Sequence, residues 1–253
     1  ESNLALWLVG FEPRGLTGLE LGLARAYMYR PDDGWDFEVL VPGLGENLVG
    51  NEIASIFARW RMRDAGAEVY GEWARDDRWA GFTRDFLPEP DHSQAYVFGF
   101  QKVTTVRPGR AVRVQAELTH LQEKQEYRTG RPLSIVYTHA AIRQGYTHRG
   151  QMLGAGIGTG ADAQFIGVDW VDAWGFGGLF VERVRRNDAS FAALWERRFF
   201  PYDHDTALTA GLRGLARVGP VSIGGSFSYS MRYSRDFLSD DSNVQLVTEL
   251  VWW

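Results

Sequence analysis

The chain has 253 residues, a formal net charge of −5 and no cysteine; 45% of it is hydrophobic and 14% aromatic, which suits one large domain and excludes a disordered chain. The missing cysteines exclude a disulfide framework and a thiolate metal site, and mild acidity with scattered Lys and Arg argues against a nucleic-acid surface. No run of about 18 apolar residues occurs, so no transmembrane helix is expected, and 29 Gly beside 10 Trp, 10 Tyr and 15 Phe point to a β-rich protein.

The sequence opens on Glu1 rather than Met, as expected after removal of a signal peptide or for part of a longer protein. The first expected strands are 3–11 and 18–30, followed by a long connection over 31–50. The next two, 51–63 and 67–77, show how the chain is built. Ala54, Ile56, Ala58, Trp60 and Met62 alternate with Ile53, Ser55, Phe57, Arg59 and Arg61. With Asp64 and Ala65 as a two-residue turn, Met62 faces Ala67, Trp60 faces Val69, Ala58 faces Gly71 and Ile56 faces Trp73. The other face then carries a charge ladder of Arg59, Arg61, Glu68 and Glu72, with Arg61 opposite Glu68 and Arg59 diagonal to Glu68 and Glu72. A slip of one residue destroys this match.

After a connection over 77–94, strands 95–106 and 110–121 repeat the design around "RPG", where Gly109 supplies a left-handed turn residue. Expected strands then cover 132–141, 148–157, 164–174 and 176–186, with long connections over 119–164 and 187–206. The segment "NDASFAALWERR" (187–198) reads as a short helix capped by Asn187 or Asp188. Strands 207–218 and 221–236 meet across "GP", so that Arg213 opposes Ser226 and Arg217 opposes Ser222. After a connection over 235–243, the last strand is 243–253, with Leu246, Leu250 and Trp252 on one face. Thirteen candidates and one uncertain stretch, 132–157, predict about twelve strands, within a range of ten to fourteen.

The polarity of these strands carries a further expectation. In "VSIGGSFSYSMRYS" (221–234), Val221, Ile223, Phe227, Tyr229, Met231 and Tyr233 share one face, while the other is serine, glycine and Arg232. A soluble β-sandwich produces single strands of this kind. Paired Arg and Glu on one face, aromatics on the other, short turns at one end and long connections at the other are the habit of an outer-membrane barrel. The apolar face then meets lipid, the polar face lines a wet interior, and unpaired backbone groups require the sheet to close. The expectation is an all-β, antiparallel transmembrane β-barrel, one domain over 1–253. Trp60, Trp73, Phe98, Phe227 and Tyr229 are expected to point outward.

Several segments, "LTGLELGLARA" (16–26), "GNEIASIFARWRM" (50–62), "AEVYGEWARDD" (67–77), "YTHAAIRQGYTHRGQMLGAGIGTGAD" (137–162) and "GGLFVERVRRNDASF" (177–191), resemble the capsule-assembly Wzi family of outer-membrane proteins. The resemblance covers most of the chain. It implies an eighteen-stranded barrel, of which this chain supplies part, and a lectin-like role in holding capsular or other surface polysaccharide.

Within the most family-like piece, Tyr137, His139, Arg143, Tyr146, His148 and Arg149 are the candidate ligand-binding residues. Tyr offers a flat face to sugar rings and Arg pairs with carboxylates of an acidic polysaccharide. The alternative is a hydrogen-bonded plug at the barrel mouth. "GAGIGTG" (154–160) lacks the strand–loop–helix frame of a phosphate loop and reads as small residues permitting close approach. Glu68, Glu72, Asp76 and Asp77 resemble a row of general acids, but Arg59, Arg61 and Arg75 make an ion-pair ladder the better reading. Asp203, His204 and Asp205 in "PYDHDT" admit a divalent cation only in a loop; His92, His120, His139, His148 and His204 show no metal spacing. No metal, cofactor or catalytic residue is expected.

These readings converge on an outer-membrane surface protein of a Gram-negative-type bacterium, binding rather than catalytic, with outer-membrane lipid and acidic surface polysaccharide as partners. The alternatives are a porin passing small polar solutes and a barrel hydrolase using His and carboxylates.

Overall fold

A computed structural model describes residues 3–29, 50–76, 93–121, 136–138, 145–149, 151–186 and 203–252. Among them there is no helix. The strands are β1 (Asn3–Phe11), β2 (Leu19–Tyr29), β3 (Gly50–Met62), β4 (Ala67–Asp76), β5 (Gln94–Arg107), β6 (Arg110–His120), β7 (Thr147–His148), β8 (Gln151–Met152), β9 (Asp162–Asp172), β10 (Gly175–Arg186), β11 (Asp205–Val218), β12 (Val221–Arg235) and β13 (Ser239–Trp252). All but β7 and β8 form one 11-stranded antiparallel sheet in chain order, and β7 and β8 pair only with each other.

The registers follow the alternation in the sequence. Ile56↔Trp73, Ala58↔Gly71, Trp60↔Val69 and Met62↔Ala67 are all Cα partners, with residues 63–66 forming the turn. Arg213↔Ser226 and Arg217↔Ser222 hold as well. Gly109 has φ 75°, the left-handed value its turn requires. A bulge at Val106 then turns Arg107 to the side of the sheet occupied by Arg110.

Three elements differ from expectation. Residues 136–138 lie in a turn, not in a strand over 132–141, and 148–157 holds only the tips of β7 and β8 followed by turns. The connection between β12 and β13 is not long: a tight turn over 236–238 joins them, with Asp236 and Phe237 at φ 52° and 64°. The helix expected over 187–198 lies outside the described residues.

The sheet is also open, not closed as a barrel. Eleven antiparallel strands leave β1 and β13 running in the same direction, so the antiparallel pairing of 3–11 with 243–253 is not made. Antiparallel closure takes an even number of strands. The sheet is nevertheless strongly curved. Leu8 of β1 and Arg213 of β11 line the same cavity of about 760 Å³, although eight strand spacings would separate them by about 40 Å in a flat sheet.

Curvature gives the sheet an inside and an outside, and the large apolar side chains gather on the outside. On β12, Ser222 and Ser228 are buried, while Ile223, Phe227 and Tyr229 are 51%, 47% and 46% exposed. Leu23, Ile56, Trp60, Phe98, Ile166, Val181, Leu212 and Leu246 are also exposed on the outside. Trp73 shares that face half-buried, its Nε1 donating to Gln94 Oε1 at 3.1 Å. Inside, several glycines let aromatic rings lie flat against the neighbouring strand: Phe57 covers Gly22, Tyr70 covers Gly99, and Phe180 covers Gly211, where an added Cβ would meet the ring at 2.7 Å. β1 departs from the rule, with Leu4, Leu6 and Leu8 exposed on the inward-facing side of an unpaired edge.

Candidate functional site: the polar interior and its docked segment

The interior wall is a connected polar network. Asp169, with no exposed surface, accepts from Arg113 Nε at 2.9 Å and from Arg213 Nε and Nη2 at 2.9 Å each. Arg213 Nη2 also donates to Gln115 Oε1 at 2.6 Å, and Gln115 Nε2 donates to Gln101 Oε1 at 2.9 Å. Arg113 and Arg213 stack over Phe176 and Phe165, each 5.2 Å from the ring centroid. Gly178 opposite Asp169 leaves the space its carboxylate occupies. The Tyr70 hydroxyl donates to Glu117 in the same wall.

The expected charge ladder lies here, with one change of partner. Arg59 reaches diagonally to Glu68 at 2.8 Å. Arg61, although opposite Glu68 in register, pairs instead with Glu20 of β2. Glu72 is exposed to the interior and makes no ion pair within the described residues. Arg75 lies on the other side of β4, and Asp77 is outside the described residues. Asp76 is buried and accepts from Asn51 Nδ2 at 2.9 Å and from the Tyr137 backbone N–H at 2.9 Å. Glu20, Glu68 and Asp76 are thus each engaged by a cation or by hydrogen-bond donors within the wall.

The described residues between β6 and β9 (136–138, 145–149 and 151–161) pack against this interior. Val136 packs on Ala95 and Leu121, and Tyr146 packs on Met28 with Ala26 and Ile53 alongside. The Tyr146 hydroxyl lies 2.9 Å from the Asn51 carbonyl and 3.2 Å from that of Ala26, bridging β2 and β3. Gly154 allows the Tyr137 ring to approach, and Ala155 N–H donates to the Tyr137 hydroxyl at 3.2 Å. Burial pushes the Tyr137 phenol above its ordinary value of 10.0, against the lowering effect of the Ala155 N–H. A phenol held neutral in the docked state contributes stability below that value and loses it as pH rises beyond.

The structure therefore divides the six candidate ligand residues. Tyr137 is half-buried and Tyr146 is 2% exposed, so neither offers a free face to a sugar; they hold the segment in place. His148 and Arg149 stand exposed at the β7–β8 turn, with Arg149 at φ 49°. His139 and Arg143 lie outside the described residues. Asp205 of the candidate cation site is fully buried and engaged by Arg232 Nε at 2.6 Å and the Asp236 N–H at 3.1 Å. No group of three or more His, Cys, Asp or Glu able to hold a metal occurs among the described residues.

A second cleft of about 670 Å³ separates the docked segment from β10–β13, with Glu182, Thr209, Ser230 and Asn243 on its wall. The pairing of Thr209 and Ser230 at 2.7 Å marks this wall as hydroxyl-rich. Of these, Ser230 lies on the serine-rich face that the alternation of 221–234 predicts.

Replacing Tyr146 with phenylalanine should release the segment without unfolding the sheet. Losing one hydroxyl bonded to two carbonyls costs about 1 kcal/mol, so amide exchange over 145–161 should accelerate several-fold while β2 and β3 stay protected. Unchanged exchange would show that packing alone holds the segment.

No family model, no curated protein and no solved structure matches the chain. The described fold is all-β with one large antiparallel sheet, and no helix long and apolar enough to cross a membrane occurs among the described residues.

Proposed function

We propose that this chain forms the wall of an outer-membrane β-barrel that holds acidic surface polysaccharide at the surface of a Gram-negative-type bacterium. One observation carries the membrane assignment: apolar side chains crowd the exposed face of the sheet while serines, arginines and carboxylates line its interior. In water this arrangement is inverted; in hydrocarbon it is what the solvent requires. The sheet strands run from 9 to 15 residues, enough to cross the apolar layer when tilted. The binding role draws on the family resemblance of 137–162 and on His148 and Arg149, which present basic groups on an exposed turn. It is a binding function and needs no catalytic residue.

The 760 Å³ interior cavity favours a second reading, passage of small polar solutes. The docked segment opposes it by occupying the interior side of β2–β6. The two separate in one experiment on protein folded into lipid, measuring planar-bilayer conductance and binding of an acidic bacterial polysaccharide. The proposal expects low conductance and binding that falls several-fold in a His148→Ala, Arg149→Gly variant. Glycine at 149 keeps the left-handed turn. High conductance without binding would establish the porin reading, and binding untouched by the variant would remove this turn from the site.

A further inference from the structure

In an antiparallel meander, successive connections alternate between the two ends of the sheet. The connections 12–18, 63–66, 108–109, 173–174 and 219–220 therefore share one end, and 30–49, 77–93 and 187–204 share the other. The short-turn end carries positive charge without acidic partners. At the short-turn end, Arg14, Arg63, Arg107 and Arg217 are exposed and make no ion pair within the described residues. They come from four of the five connections or their flanks, so they are spread around the rim. Lys102, on the outer face of β5, bends toward this rim and donates to the Ala65 carbonyl. The acidic groups there are fewer to spare: Glu20 is held by Arg61 and Asp172 by Arg110, leaving Glu12, Asp64 and Glu249.

Near this rim, Trp60 and Trp170 stand on the outer face at 42% and 39% exposure, and Trp174 sits in the 173–174 turn at 48%. Trp174 is tied to the rim itself, its carbonyl accepting the Arg217 N–H at 2.7 Å. An indole ring favours the boundary between hydrocarbon and headgroup. A guanidinium just above it lies at the height of lipid phosphates, which it binds through parallel N–H donors.

We propose that the short-turn rim is a docking belt for anionic phospholipid headgroups, with Arg14, Arg63, Arg107 and Arg217 binding phosphate above a tryptophan girdle. The proposal rests on the membrane reading above, and it adds a lipid preference and an orientation. The end with the long connections faces away from the leaflet that the arginines grip. Basic residues at an anionic surface each contribute roughly five-fold in surface partition, so four exposed arginines make the folded state strongly dependent on headgroup charge.

The test folds the full chain into vesicles of phosphatidylcholine alone and of phosphatidylcholine with about a third phosphatidylglycerol, then follows thermal and urea unfolding in each. The expected result is a midpoint several degrees higher in the anionic vesicles, a gain that shrinks as salt rises. The variant with all four arginines replaced by glutamine should fold in neutral vesicles like the wild type and lose most of the gain. Equal midpoints for the wild type in the two vesicles would overturn the proposal while leaving the membrane reading intact. Failure to insert into either would instead sink the membrane reading. If soluble polyphosphate added to neutral vesicles reproduced the whole gain, the rim would be a polyanion site and not a leaflet anchor.

Discussion

Replacing Phe227 with arginine is expected to destabilise the lipid-folded protein by about 2–4 kcal/mol, the cost of a cation near the middle of a bilayer. Phe227 sits between Leu212 and Leu246 on neighbouring strands, and all three are about half exposed or more. It lies near the middle of β12 (Val221–Arg235), so the guanidinium has a long way to reach water. Trp60→Arg, two residues from the end of β3, should cost only about 0–1 kcal/mol because its charge can snorkel to the rim. The contrast is diagnostic. If the same face met water, Phe227→Arg would be neutral or would improve solubility. The measurement is urea unfolding in vesicles, followed by tryptophan fluorescence and by heat-modifiable gel mobility.

The second large effect is expected on the inside. Asp169→Ala should cost about 3 kcal/mol, in the range found when one partner of a buried ion pair is removed. Asp169 is fully buried and satisfies two guanidiniums at once. Its loss leaves Arg113 and Arg213 facing each other with no carboxylate between them, and frees the Arg213 fork that also holds Gln115. Asp169→Asn keeps the shape and one acceptor, so its cost should fall between wild type and alanine. A loss below about 1 kcal/mol for Asp169→Ala would mean that interior water screens the arginines as exposed pairs are screened.

What the sequence discloses and what it hides follow one physical division. Period-two alternation fixes which side each residue takes, and a slip would invert every side chain, so the hairpin registers at 56–73 and 213–226 were legible residue by residue. Hairpin logic sees only the next strand, however. It placed Arg61 against Glu68, while the side chain turned to Glu20 on β2, the strand on its other flank. The start of β13 was missed because Ser239–Asn243 is polar on both faces and shows no alternation. Its preceding turn lacks Gly or Pro, relying on Asp236 and Phe237 at positive φ.

The 132–157 region failed for a different reason. Its short apolar runs suit a strand, but its described residues are held by distant partners: Asp76 holds the Tyr137 N–H, and the Asn51 carbonyl holds the Tyr146 hydroxyl. Contacts across that much sequence leave no local pattern. The same blindness made Tyr146 look like a sugar platform, when it is 2% exposed. Alternation alone also leaves open whether an apolar face meets a protein core or a lipid; the exposure of Phe227, Leu212 and Ile166 on a single curved sheet decides what that face lacks.

The central claim, that this face meets lipid while the opposite face meets water, is most directly tested by single cysteines along β12. The absence of native cysteine makes each label unique. Nitroxides placed singly at residues 222–231 in vesicle-folded protein would be scored for collision with oxygen, which concentrates in lipid, and with a water-soluble nickel chelate. The account predicts a period of two: oxygen-accessible at 223, 227, 229 and 231, and favouring the chelate or sterically protected at 222, 226, 228 and 230. Chelate-accessible labels at 227 and 229, or protection from both reagents there, would place that face in water or in a protein core and contradict it.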